Sequence, residues 1–253
     1  MIVCVFDTET TSLEKPFCYN VGYVIADTDT REILTRKDFV VEQAWHNLPL
    51  FSSAYYAEKR SLYVSAMRGK RAILDKWGYI MRTMAHDLRE YNVECAYAYN
   101  SPFDDKVFTF NCDWYKTNNP LDNIPIYDIR GMVHEIIAHS ESFFQYCEKH
   151  ERFTEKGNYS TTAETIYGYI QGNPDFEEAH TALADSEIEC AILLWAHDMG
   201  ANYATDYPVL RSLNRETITP FTVKVDGKVI YNGEYVKKYV RADNYSFTTP
   251  DRD

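Results

Sequence analysis

The stretch Ile2-Val3-Cys4-Val5-Phe6-Asp7-Thr8-Glu9 decides the fold of this chain. Ile2 to Phe6 is apolar at every position, as in a central strand covered on both faces. The run ends at Asp7. Strand side chains alternate, so Asp7 and Glu9 point to the same side and can converge on one point. A D-x-E pair alone is a frequent accident of an acidic sequence, and its place at the end of a buried strand is what gives it weight.

Outward from this strand, Tyr19 to Ala26 and Glu32 to Val41 flank Asp27-Thr28-Asp29-Thr30, whose short polar side chains favour a turn. Strands one to three therefore form an antiparallel meander. Ala72 to Tyr91 has apolar residues at 73, 74, 77, 80, 81, 84 and 88, the spacing of an amphipathic helix. Val93 to Tyr99 reads as a fourth strand, Pro102 to Phe110 as the helix leaving it, and Ile124 to Tyr127 as a fifth strand before a helix from Arg130. This succession predicts an α/β fold with a mixed five-stranded sheet, the meander joined to parallel strands four and five, and flanking helices. Ile188, Ala191, Ile192, Trp195 and Met199 mark a long later helix, and Val223 to Tyr231 with Asp226-Gly227 predicts a hairpin. Residues 42 to 71 fit no clean period and read as an insertion. The expected organisation is a domain over 1–206 and a C-terminal extension over 207–253.

At 253 residues and 45% hydrophobic, with 21 Tyr and 13 Phe, the chain can bury a sizeable core. The six cysteines lie far apart, several inside apolar runs, and read as core residues of a reducing compartment. No stretch has the length of a membrane span, so a cytoplasmic protein is the expectation. The net charge of −12 argues against long-range attraction of a polyanion, but its distribution is uneven. Tyr56 to Arg71 holds Lys59, Arg60, Arg68, Lys70 and Arg71 against Glu58, Phe221 to Arg241 is also basic, and Gln171 to Cys190 has six acids and no Lys or Arg. An acidic centre between basic segments suits a cation site that meets a polyanion; a patchy solvated surface has the same pattern.

Two further constellations are more specific. Asn100-Ser101-Pro102-Phe103-Asp104 stands where the fourth strand passes into its helix, and N-x-x-F-D should arise by chance only about 0.05 times. A helix start capped by Ser101, with Pro102 in the first turn and Asp104 at the positive end, explains the same residues, and both readings can hold together. His180-Thr181-Ala182-Leu183-Ala184-Asp185 gives H-x-A-x-x-D, expected about 0.04 times. Five helical positions subtend about 140°, so His180 and Asp185 share a site only if His180 lies on the loop, with Thr181 as N-cap and Asp185 one turn inside.

In this order, D-x-E, N-x-x-F-D and H-x-A-x-x-D resemble the three exonuclease motifs of the DEDDh, or DnaQ-like, family, which includes polymerase proofreading subunits, ribonuclease T and oligoribonuclease. The resemblance runs from Met1 to roughly Gly200 and includes Tyr127-Asp128; some short phage-encoded members are similar in style. It implies an RNase H-like fold and 3′-to-5′ hydrolysis of a nucleic-acid strand to nucleoside 5′-monophosphates. It also implies two Mg²⁺ or Mn²⁺ ions held by Asp7, Glu9, Asp104 and Asp185. By the family pattern Asp7 is shared, Glu9 and Asp185 complete the site of the attacking water, Asp104 serves the second ion, and His180 takes the proton. Thr8, Thr10 and Thr11 would lie beside the terminal nucleotide, Leu13 would wedge against its base, and Asn100 and Phe103 would line the cleft, though Phe103 equally suits a core. Ser12 stands where the family often has Gly. Physical reasoning reaches the same ions: converging carboxylates repel unless protons or hard cations neutralise them.

The expected partner is a nucleic acid with a free 3′ end, single-stranded DNA ahead of RNA, with no membrane and an unspecified replication or polymerase partner. In the insertion, Tyr55, Tyr56 and Tyr63 interleave with cations, which suits strand binding; a helix packing Tyr56, Tyr63 and Met67 into a core explains the same pattern. Alternatives are an exoribonuclease, a catalytically silent binding module on the same fold, and a nucleotidase or structural protein with coincidental motifs. All five motif residues are present, whereas silent relatives usually lose one.

Overall fold

A computed structural model of the chain describes residues 1–210, 213, 217–225 and 227–237. They fall into two compact units, one of Met1–Ser140 with Thr162–Val209, the other of Glu141–Thr161 with the described part of Leu210–Asp253.

The larger unit is built on the apolar N-terminal run. β1 (Ile2–Thr10), β2 (Cys18–Asp27) and β3 (Glu32–Val41) form the antiparallel meander, and β1 runs past Asp7 to a register shift between Glu9 and Thr10. After β3 come α1 (Glu42–His46), α2 (Leu48–Phe51), a short 3-10 turn and α3 (Arg60–Arg68). Then follow β4 (Ile73–Asp75), α4 (Trp77–Glu90), β5 (Cys95–Ala98), α5 (Ser101–Tyr115), β6 (Ile126–Asp128) and α6 (Ile129–Ile137). The sheet order is β4-β3-β2-β1-β5-β6, with β4 parallel to β3 and β5 and β6 parallel to β1. It is the expected mixed sheet with one more edge strand. Residues 73 to 75 were expected as the first turn of a helix, but pair with β3 instead. Ile73 and Leu74 satisfy both periods, and only tertiary pairing decides between them. The helix starts at Trp77, whose N–H donates to Gln43 Oε1 at 3.1 Å.

The sheet has two covered faces. Cys4 and Phe6 of β1 and Tyr23 of β2 pack with Trp77, Ile80 and Met84 of α4 and Phe108 of α5. Burying each large apolar side chain here contributes about 1.5–3 kcal/mol. Against the other face lies α9 (Ala182–Asp198), over β1 and β2. The insertion carries its own small core, in which Trp45, Phe51 and Tyr63 meet edge to face. Arg60 stacks its guanidinium 3.8 Å over Trp45 and donates to its carbonyl, so this cation serves the core rather than a strand.

The smaller unit contains α7 (Glu141–Lys149), a bridge from Tyr159 to Leu213, and the hairpin of β7 (Thr217–Val225) and β8 (Lys228–Lys237). Between α7 and α9 the larger unit resumes with α8 (Ala163–Gln171). The hairpin is longer than Val223 to Tyr231; Gly227 of its turn takes φ +76, and Asp226 lies outside the described residues. All six cysteines are free and buried, and no helix among the described residues is long and apolar enough to cross a membrane.

Candidate active site

The strand register puts the first two carboxylates under α9. Asp7 pairs with Gly22 and Glu9 with Asn20, so these four residues share one face of the sheet. Gly22 lets the helix approach: a Cβ there would lie 2.1 Å from the Ala182 carbonyl carbon, which no side chain permits. Asn20 fixes the helix start, its Oδ1 accepting from the Ala182 N–H at 2.8 Å while its Nδ2 donates to Asp38 and to the Phe39 carbonyl. Ser186 donates to the Gly22 carbonyl. The alanine of H-x-A-x-x-D is therefore the contact point of helix and sheet. His180 lies on the loop as the spacing requires, at φ +50, and Asp185 is in the first turn of α9. Thr181 is the N-cap residue, but its side chain makes no capping bond.

Asp104 arrives from the other face. Thr8, the neighbour of Asp7 and Glu9, points the opposite way and donates to Asp104 Oδ1 at 2.6 Å. The start of α5 is set by Asn100 at φ 67, with Pro102 in the first turn; Asn100, not Ser101, is the N-cap residue, and no side chain caps there. Asp128 Oδ1 accepts from the Asn100 N–H at 3.0 Å and from the Arg130 N–H at 2.8 Å, tying the ends of β5 and β6 together.

Burial, and then the charges of Asp104, Glu189, Glu9 and Asp185, hold the Asp7 carboxyl well above the usual carboxylate range. Burial and then Asp185 push Glu9 to about 8, although the Tyr19 hydroxyl donates to it at 3.3 Å. Burial pushes Asp104 to about 7 against the Thr8 hydrogen bond, and Asp185 to about 7 against the pull of Lys59. Single ligand atoms of Glu9, His180 and Asp185 lie within 4.8 Å of one another, and Asp185 Oδ1 is buried without a hydrogen-bond partner. A set of oxygen donors this dense, with one orphaned oxygen, fits hard divalent cations.

Four further neighbours meet the site: Glu189 and Glu178, which the sequence did not single out, and Tyr56 and Lys59, expected in strand binding or a core helix rather than at His180. Glu189 stands one turn beyond Asp185 on α9, accepts from the Tyr99 N–H at 3.1 Å, and is raised by burial and then by Asp104. Its i+4 spacing from Asp185 was the available signal. Glu178 Oε2 lies 3.7 Å from His180 Nδ1, and burial pushes its carboxyl to about 8. Tyr56 of the insertion stacks on the imidazole at 4.3 Å and 13°, its hydroxyl 3.4 Å from Nε2. Lys59 lies over Tyr56 and donates to the Ala179 carbonyl at 2.9 Å. Burial and then Lys59 lower the His180 pKa.

The remaining expected site residues divide. Thr8 is buried and committed to Asp104, which makes it a positioning group, and Thr11 is buried. Thr10 donates to the Ser12 carbonyl at 3.3 Å. Ser12 is not among the positive-φ residues; its hydroxyl donates to the Lys15 carbonyl and accepts from the Lys15 N–H, closing the turn a glycine would otherwise allow. Leu13 beyond it is 73% exposed, Asn100 is exposed, and Phe103 packs partly against the main core. In the insertion Tyr63 is core, Tyr55 is exposed, and Tyr56 is the lid on His180.

No protein-family model and no curated protein sequence matches this chain. Solved structures do match it. The nuclease domain of 3′hExo, a DEDDh family member bound to rAMP, aligns over 85% of this chain and 96% of its own at TM-score 0.55 and 14% identity. A 3′-exonuclease recognising the histone mRNA stem-loop aligns over 98% and 94% at TM-score 0.54 and 12% identity. The E. coli ExoI–ssDNA complex in its zinc-bound form aligns over 79% of this chain at TM-score 0.51 and 16% identity, and there this chain spans only 41% of the neighbour. The chain therefore has the RNase H-like fold of the DEDDh-family 3′ exonucleases.

Proposed function

We propose that this chain is a metal-dependent 3′-to-5′ exonuclease that removes nucleoside 5′-monophosphates from single-stranded DNA. The observation that carries this reading is the convergence of Asp7, Glu9, Asp104 and Asp185 with His180 at the ends of β1 and α5 and the start of α9, each carboxyl raised by burial. These four carboxylates would hold two Mg²⁺ or Mn²⁺ ions, which when bound neutralise the cluster and stabilise the attacking and leaving oxygens. His180, its pKa lowered, is neutral near pH 7 and free to take the proton of the attacking water. Glu178 lies beside Nδ1, and Tyr56 fixes the plane of the ring. The water oxygen bonds to phosphorus, the bond to the 3′ oxygen of the shortened strand breaks, and that oxygen leaves with a proton.

The larger unit holds the whole constellation, and we assign the chemistry to it. The neighbours include a complex with single-stranded DNA and a reader of an RNA stem-loop. DNA is favoured here on the reading that Thr10 and Thr11, before the turn closed by Ser12, would lie beside the terminal sugar and crowd a 2′-OH. The exposed Leu13 would wedge against the last base. Six free buried thiols suit a reducing compartment such as the cytoplasm. The purified chain with Mg²⁺ should release mononucleotides from the 3′ end of a labelled strand, and should stop in EDTA. An intact strand after incubation with either Mg²⁺ or Mn²⁺ overturns the reading. Faster kcat/KM on a matched RNA strand overturns the DNA assignment alone.

A further inference from the structure

Helix α4 turns its apolar stripe to the sheet and a cationic face outward. Arg82, His86 and Arg89, spaced by four and three residues, lie along that face and are all exposed. They line an open cleft of about 740 Å³ whose other wall is the loop after α5, with Lys116, Thr117 and Asn119. Lys116 is fixed at the C-cap of α5 in the left-handed region, φ 56, its N–H bonded to the Cys112 carbonyl. Gly78 lies at the floor: a Cβ there would come within 3.3 Å of Thr117 and 3.6 Å of the Arg82 guanidinium. A neighbouring cleft of about 340 Å³ shares Gly78, Arg82 and Thr117 and adds Lys76 and Asp75.

No Asp or Glu lines the larger cleft, and among the described residues no ion pair engages Arg82, Arg89 or Lys116. In a chain with 38 acids against 26 Lys and Arg, three cations along one cleft with no ion pair among the described residues are the reverse of the average surface. They repel one another unless an anion joins them. From Gly78 to Arg89 the helix rises about 16 Å, too long for one phosphate and suited to successive phosphates of an extended strand.

We propose that this cleft is a second nucleic-acid contact, a groove that binds the phosphate backbone upstream of the 3′ end. The choice of a strand as occupant rests on the exonuclease reading. Asp104 and Lys116 lie at opposite ends of α5, about 18 Å apart along its axis, so the groove engages nucleotides well behind the one being removed. It supplies the local positive field that the net charge of −12 denies the molecule as a whole.

Fluorescence anisotropy with a labelled 20-mer of single-stranded DNA, in EDTA so that nothing is cleaved, tests this on the full chain. The variant Arg82→Ser, Arg89→Ser, Lys116→Ser should bind at least tenfold more weakly at low salt. Its log–log salt slope should fall by about 2, the loss of three single-strand phosphate contacts. Unchanged affinity and slope overturn the proposal. If the triple variant misfolds by circular dichroism, the double variant Arg89→Ser, Lys116→Ser decides: weaker binding with a salt slope lower by about 1.4 supports the groove, and unchanged affinity and slope overturn it. Tripolyphosphate that binds the parent but not the triple variant, with 20-mer affinity unchanged, assigns the cleft to a small polyphosphate and overturns the strand. The measurement needs no turnover, so a chain that fails to cleave but shows the binding loss refutes the exonuclease reading while the groove stands.

Discussion

At the scale of single residues the site rests on charges that the fold does not need. Asp7→Asn, Glu9→Gln, Asp104→Asn and Asp185→Asn should each abolish mononucleotide release while leaving circular dichroism unchanged; near-normal turnover by any one under saturating Mg²⁺ removes that residue from the ligand set. His180→Ala should lower kcat by about 10² to 10⁴-fold with little change in KM. Tyr56 is a finer case. Its ring covers one face of the imidazole, an aromatic contact of about 0.5–1.5 kcal/mol, so Tyr56→Ala should lower kcat by up to about tenfold. Tyr56→Phe keeps the stack and should retain most of the rate. Equal losses in both variants would place the effect in the hydroxyl near Nε2 instead.

At the scale of elements the decisive contact is that of α9 with β2. Gly22→Ala inserts a methyl where the Ala182 backbone already stands, so the helix must lift and carry Asp185 away from Asp7 and Glu9. Overpacking of this kind costs about 1–3 kcal/mol, and the variant should melt lower and lose turnover together; a wild-type rate would show that the helix start is not fixed by this contact. Much of the framework was legible in the residues. The run Ile2 to Phe6 read as a buried strand, the alternation of Asp7 and Glu9 followed from it, and the helical angle between His180 and Asp185 put the histidine on a loop if the two share a site. What was not legible depends on partners distant in sequence. Residues 73 to 75 become a strand only because Phe39 to Val41 lies beside them. Tyr56 meets His180 across 124 positions, and no local period announces that. Nor could the sequence separate Arg60, spent on Trp45, from the cations left exposed around it.

At the scale of the whole molecule, the acidic centre makes stability depend on pH and on cations. Carboxyls with raised pKa hold protons in the folded state that the unfolded chain has already released above about pH 4. The metal-free protein should therefore lose stability as pH rises from about 5 towards 8, the window set by Glu9 near 8 and Asp104 and Asp185 near 7. Mg²⁺ or Mn²⁺ should restore the melting temperature most at the upper end; a flat metal-free profile by calorimetry contradicts the cluster. The six buried free thiols carry a different consequence. Burial raises Cys4, Cys147 and Cys190 alike, so the folded chain should be almost silent to a disulfide reagent, and each sulfur becomes a clock for the opening of its own element. Cys147 on α7 belongs to the smaller unit and Cys4 to the central strand of the larger. Labelling resolved by mass spectrometry should find Cys147 first and Cys4 last, a stopwatch reading of local unfolding taken without adding a single probe to the protein.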